Sequence, residues 1–165
     1  MHNHFVVKSL DLTRPGGLVA VVTLRFTFNA ASETARVEMA TRADLVGAVR
    51  PAARTFRACA DTDVIADVVV LPRRDPGLPA WGPNWRSVVT VETEDSPMQI
   101  NEYFAARPAM IAGRLGLGGS QYNAADLTVT PDPARTAEVC LAGVVADAVR
   151  AELAYQPAGP VLPGR

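Results

Sequence analysis

Arg50, Arg54, Phe56 and Arg57 put three cations and one aromatic ring into a single short stretch, "RPAARTFR". Those residue types together suit nucleic acid, because guanidinium groups grip phosphates and an aromatic face stacks on a base. Arg25 and Phe26, just after an earlier apolar run, add a further cation and ring. A blander reading stands beside this one, in which Phe56 anchors the loop in the core and the arginines are solvated.

Other chemistry is thinly represented. His2 and His4 are the only histidines, two residues apart, and a zinc site needs about four ligands, so solvated or helix-capping roles fit them better. No GxSxG elbow or Ser, His and acid set points to a nucleophilic triad. "GRLGLGGS" is rich in glycine but is closed by no Lys-Ser or Lys-Thr, so it reads as a mobile loop and not as a phosphate cradle. Asp61 and Asp63 suit Asx turns. Asp67 interrupts an apolar run, which predicts that it caps a backbone amide, pairs with an arginine or faces a cleft. Cys59 and Cys140 form no CxxC and follow no secretory signal, so two free thiols in the cytoplasm are expected.

The elements that must position these residues are readable from hydrophobic spacing. "NHFVVKSLDL" has the spacing of a helix with Asn3 as its cap, stopped by Arg14, Pro15, Gly16 and Gly17. "LVAVVTL" follows as a strand with no polar alternation, which predicts cover on both faces. "NAASETARVEMATRA" reads as a helix capped by Asn29 or Ser32, with Glu38 and Arg42 as an i,i+4 pair. Residues 44–49 are a second strand, so 18–49 form a strand, helix, strand unit with a crossover long enough for parallel pairing. Residues 64–71, "VIADVVVL", are a third strand.

Beyond residue 72 the character changes, with four Pro and two Gly around Trp81 and Trp85 in "PRRDPGLPAWGPNW". "RSVVTVET" reads as a short strand, "INEYFAARPAMIAGRL" as a helix broken at Pro108, and "ADLTVT" as an edge strand. Residues 134–153 read as an amphipathic helix with Val139, Ala142, Val145, Ala146 and Val149 on one face. The organisation expected is an α/β core over 1–75, an irregular extension over 76–133, a terminal helix over 134–155 and a disordered tail over 156–165.

Composition bounds the partners. With 165 residues the chain is one domain long, and sixteen Lys plus Arg against seventeen Asp plus Glu leave a net charge of −1. No bulk attraction to nucleic acid or anionic membrane follows from that total. No apolar run approaches the ~20 residues of a membrane helix, so a soluble chain with no membrane partner is expected.

The order of these pieces resembles a known family. A helix, the "PGGLVAVVT" strand, a helix with "AR" in its middle, the "RADLVGAVR" strand, the "RTFRACADTDV" loop and "IADVVVLPRR" together are similar to the carboxyl-terminal half of a class I, SAM-dependent adenine-N6 DNA methyltransferase. The closest likeness is to methylase domains of large bacterial proteins that also carry a helicase. "INEYFAARPAMIAGRL" resembles the "vNxYFxxHPexxLG" segment after that methylase core, and the likeness spans nearly residues 3 to 130. It implies a partial Rossmann-like sheet whose three strands match the fifth, sixth and seventh of the family, the last running antiparallel between the other two.

The Gly-rich SAM loop and the "NPPF" or "NPPY" tetrapeptide of the family are missing, since the sequence has no Asn-Pro-Pro and no GxG after an early strand. No catalytic or cofactor-binding residue is therefore assigned, and SAM is implied only for the complete fold. What carries over is a place for Phe56 near a flipped-out base, in a loop that reads "RPAARTF" where the family has "RLPxxAF" and "ACADTDV" where it has "AGTDV". The expectation is a truncated or split methyltransferase half, inactive alone, completed by an amino-terminal half or a helicase-containing protein. The alternative is a non-catalytic DNA-binding or assembly module using Arg25, Arg50, Arg54, Phe56 and Arg57.

Overall fold

The computed structural model describes residues 2–53, 55–56, 64–93, 95–118 and 126–154. The chain opens with helix α1 (His2–Leu12), which buries Val6, Val7 and Leu10. Those positions, spaced i, i+1 and i+4, fall on one helical face. Gly16, at φ 71°, then turns the chain in the left-handed region that glycine adopts without strain.

Strand β1 (Leu18–Leu24) follows, then the single turn α2 (Phe26–Asn29), α3 (Thr34–Ala40), β2 (Gly47–Val49) and β3 (Ala66–Pro72). These three strands form one sheet in the order β1-β3-β2. β3 is antiparallel to both neighbours, with Val21 opposite Val69 and Val49 opposite Val68. β1 and β2 thus run the same way without touching, and the direct parallel pairing expected of residues 18–49 is replaced by pairing through β3. The reversed middle strand is the arrangement implied for the last three strands of the resemblance. The chain is mixed α/β, and all three of its described sheets are antiparallel.

Side chains alternate across a sheet, so each face has its own cover. On one face Val19, Val69, Leu71 and Ala48 join Val6, Val7, Leu10, Met39 and Phe28 in the main core beneath α1 and α3. On the other, Val49 with Val68 and Val70 packs against Cys140 and Val144. The cover on that face stops short of β1, where Leu18 and Val22 are each 58% exposed and Ala20 is exposed too. The expectation that both faces of "LVAVVTL" are covered therefore fails.

The helix expected over "NAASETARVEMATRA" is broken between α2 and α3. Glu33, not Asn29 or Ser32, occupies the cap position of α3, without a side-chain cap bond. The expected Glu38–Arg42 pair forms at 3.5 Å. Further along, β4 (Val88–Val91) pairs with β5 (Met98–Asn101), which leads directly into α4 (Glu102–Ala106). A 3-10 turn over Pro108–Met110 ends that helical run at the expected proline. β6 (Arg114–Gly118) and β7 (Asp126–Thr130) form the third sheet, so part of the glycine-rich stretch read as a mobile loop is a strand. Gly119 and Ser120 of that stretch lie outside the described residues.

The last element is α5 (Ala137–Ala154). Its buried side is Cys140 and Val144, seated on β2 where Gly47 leaves room: a Cβ there would come within 2.9 Å of Val144 Cγ2. The stripe expected to be its buried face, Val139, Ala142, Val145, Ala146 and Val149, is exposed throughout. Burial raises the Cys140 thiol above its ordinary pKa, which suits a packed and unreactive cysteine. Among the described residues no helix is long and apolar enough to cross a membrane. The expected tail over 156–165 lies outside the described residues.

Candidate functional site

The carboxyl ends of β1 and β2 lie at the same end of the sheet, and Arg25 and Arg50 leave it there, as their places in the sequence implied. Ligands collect at the carboxyl ends of strands in open parallel α/β sheets, whereas β3 here runs antiparallel to both neighbours. What the two arginines do there differs from the nucleic-acid reading.

Arg50 is fully buried, as is Asp67. Its Nε donates to Asp67 Oδ1 at 2.7 Å and its Nη2 to Asp67 Oδ2 at 2.9 Å, a two-pronged pair with no solvent access. Nη2 also donates to Asn29 Oδ1 at 3.0 Å, and the guanidinium carbon lies 4.4 Å from the Phe104 ring centre. Backbone bonds fix the residue further: Arg50 N donates to Met110 O and Ala112 N donates to Arg50 O. Its remaining nitrogen, Nη1, has no partner among the described residues but is buried with the rest of the group, so the guanidinium cannot reach a phosphate at the surface, and the assignment of Arg50 to a nucleic-acid surface is corrected to an internal anchor. Asp67 takes one of the roles open to it in the sequence, pairing with an arginine.

A polar network extends from this pair. Asn29 Oδ1 also accepts from Asn101 N at 3.2 Å, and Asn29 Nδ2 donates to Gln99 O at 3.2 Å. Asn101 Nδ2 donates to Phe28 O and Trp85 O, while its Oδ1 accepts from Tyr103 N and caps α4. Five segments (β2, β3, α2, β5 and α4) are thereby joined, with Arg50 Nη1 and the Tyr103 hydroxyl the buried side-chain polar atoms left without a partner among the described residues. Burial raises the Tyr103 phenol above its ordinary pKa, against smaller opposing pulls from the Ala48 backbone and Arg107.

Arg25 lies at the rim of this region, its side chain 15% exposed, with Nη2 donating to Asp126 Oδ1 at 2.5 Å. Its guanidinium sits 4.5 Å from the ring centre of Phe26, which is itself exposed. Nearby, Thr23 and Thr27 share a hydroxyl hydrogen bond of 2.6 Å, and Thr27 Oγ1 donates to Asn3 Oδ1 at 3.0 Å. Phe56 is half-buried. Arg54, Arg57, Cys59, Asp61 and Asp63 lie outside the described residues. The structure thus brings Arg25 and Arg50 to one end of the sheet but leaves no exposed cluster of cations among the described site residues.

The remaining candidates are quickly placed. His2 and His4 are exposed, with His4 edge-on to Phe5, and no group of three or more metal-ligating side chains occurs among the described residues. Gly113, at φ +149°, is required by packing, since a Cβ would lie 2.2 Å from Thr130 O. A cleft of about 700 Å3 opens between the two hairpins, floored by Ile100, Phe104 and Ile111 with Arg114 and Arg135 at its sides.

Besides Thr23 and Thr27, three buried polar residues escaped the sequence reading. Asp44 holds Arg74 and accepts from Trp81 N at 3.0 Å, tying the proline-rich strap to the sheet. Arg36 is buried with its guanidinium on the carbonyls of Arg86, Thr27 and Ala30, and burial lowers its pKa despite Glu33 and Glu102 nearby. Asn101 is the third. The one usable signal was position: Asn101 directly precedes "EYF", as a helix cap does.

No family model, curated protein or solved structure matches this chain.

Proposed function

We propose that the chain supplies the carboxyl-terminal strands of a class I methyltransferase sheet of the adenine-N6 DNA type, and that residues beyond these 165 supply the rest of it. The observation carrying this reading is the sheet order β1-β3-β2 with a reversed middle strand, together with an open outer edge on β1.

That edge can be described bond by bond. Arg73 N donates to Gly17 O at 2.7 Å and Arg25 N to Ile65 O at 3.0 Å, which sets the phase of the ladder. The odd-numbered residues of β1 therefore bond to β3. Leu18, Ala20, Val22 and Leu24 turn their N–H and C=O groups outward, where no strand pairs with them among the described residues. Such a row is a template for another strand.

α1 gives the added strand a direction. Asn3 bonds to Thr27 beyond the carboxyl end of β1, and the Leu10 carbonyl accepts from Arg73 Nη1 at the opposite end. α1 thus runs back along β1 as a crossover helix does, and a strand joined to its amino end would lie parallel to β1 on the open edge.

The residues present do not fit SAM: the chain has no Gly-rich turn between an early strand and a helix, and the Arg50–Asp67 pair is buried away from solvent. No step through that cofactor is assigned to this chain. Titration calorimetry of the chain alone with SAM should show no binding at micromolar concentrations, and the coding sequence next to this one should encode a Gly-rich strand-turn-helix and an Asn-Pro-Pro-aromatic tetrapeptide. Micromolar SAM binding by these 165 residues, or a neighbouring sequence without those motifs, contradicts the reading.

A further inference from the structure

The cleft of about 700 Å3 between the two hairpins takes no lining residue from β1, so its chemistry is independent of the methyltransferase reading. Its size is that of a small-molecule site. The floor belongs to the main core: Ile100 and Ile111 are buried, Phe104 is fully buried, and Val91 and Leu115 pack against the same cluster. Two ties hold the walls. Asp95, in the turn between β4 and β5, accepts from Leu117 N of β6 at 2.8 Å, and the Ile111 backbone bridges to Arg50 at the end of β2. The apolar slot is therefore built into the fold.

Charge on the lining is unevenly placed. Arg114 begins β6 and Arg135 precedes α5, while the single anion, Glu92, follows β4 in the other hairpin. No ion pair engages Arg114 or Arg135 among the described residues. Arg135 is half-buried, and its Nη1 donates to the carbonyl of Pro108, another lining residue, at 3.4 Å. That bond is long, so it places the guanidinium at the side of the cleft without saturating it. Two unpaired guanidinium groups beside an apolar floor select an anion, and a planar carboxylate matches their fork. Inorganic phosphate or sulfate would leave the apolar floor unused, and a polyanion spanning the cleft would meet Glu92 on the other hairpin. The chemistry that satisfies both parts is one carboxylate carried on an apolar body.

We infer that this cleft binds a small carboxylic acid, its apolar body on Ile100, Phe104 and Ile111 and its carboxylate held by Arg114 and Arg135. For a ligand of about twelve heavy atoms the affinity should fall in the high micromolar to millimolar range.

Titration of the full chain with 4-phenylbutyrate, followed by NMR, tests this, with the neutral 4-phenylbutyramide as the matched control. The acid should shift the resonances of Ile100, Ile111 and Leu115 saturably at millimolar concentrations. The amide should bind at least tenfold more weakly, because it keeps the apolar body and loses the charge-assisted hydrogen bonds. Arg114→Gln, at an exposed position, and Arg135→Gln should each weaken the acid several-fold, leave the amide's affinity unchanged and preserve the circular dichroism spectrum. Lys8→Gln, which removes an exposed cation from α1, should leave the acid's affinity as it was. Absence of saturable shifts at the three floor and wall residues overturns the inference, as do equal affinities for acid and amide on the native chain, acid binding that survives both arginine substitutions, or acid binding lost in Lys8→Gln. The acid and amide comparison needs no variant, so a substitution that disturbs folding leaves the inference open to refutation.

Discussion

Asp67→Ala should cost about 3–5 kcal/mol of folding stability, the penalty for leaving one member of a buried ion pair without its partner. Arg50 would keep its charge at a position with no solvent access, still stacked on Phe104 but with only Asn29 left to accept from its guanidinium among the described residues. Against the roughly 5–15 kcal/mol that holds a typical domain together, this is a large fraction. Urea denaturation followed by circular dichroism should show a lower midpoint with an unchanged slope. The double substitution Asp67→Leu with Arg50→Met should recover much of the loss, because removing both charges removes the desolvation cost as well. High salt should rescue neither form, since a buried pair is little screened. A single variant as stable as the native chain would mean that Arg50 is not held as described.

Phe104→Ala should be comparably damaging, at about 3–5 kcal/mol, from lost burial plus the cavity left behind. The ring is fully buried and lies 5.7 Å from Phe28, 5.3 Å from Tyr103 and 4.4 Å from the Arg50 guanidinium carbon. Its removal takes the aromatic floor from beneath the buried cation as well as the centre of the ring cluster. Phe104→Leu should fall between the native chain and the alanine variant, because it refills most of the volume without restoring the ring face. Denaturation midpoints of the three proteins should therefore fall in the order native, Leu, Ala. Equal midpoints for Leu and native would show that volume, and not the ring beneath Arg50, governs the site.

These two residues also mark what could and could not be read in advance. Hydrophobic spacing located α1, β1, β2 and β3, because apolar runs bounded by Pro and Gly are local signals. The resemblance supplied the reversed middle strand, which no local signal carries. β5 and β6 were missed: "MQIN" is too short to show alternation, and "RLGLG" has the glycines of a loop. The orientation of α5 was read backwards because it is apolar on two sides, and which side meets β2 is decided by the space above Gly47.

The site shows the same division. An arginine near an aromatic at a strand end looks alike in sequence whether it faces solvent or an internal carboxylate. Seventeen residues separate Arg50 from Asp67, and only the register of β2 on β3 brings them together. Asn29 read as a helix cap by type, yet the break between α2 and α3 frees it to bridge Arg50 and Asn101. Such non-local pairings are set by strand register and leave no local signal in the sequence.

The outer edge of β1, unpaired among the described residues, can be probed by amide hydrogen exchange followed by NMR on the chain alone. Val19, Val21 and Thr23, which bond to β3, should be protected, while Ala20, Val22 and Leu24, whose amides point outward, should exchange quickly. Protection with this period of two is the predicted result. Slow exchange at all six positions would mean that the edge is already covered, and fast exchange at all six would mean that β1 is not paired with β3; either contradicts the account.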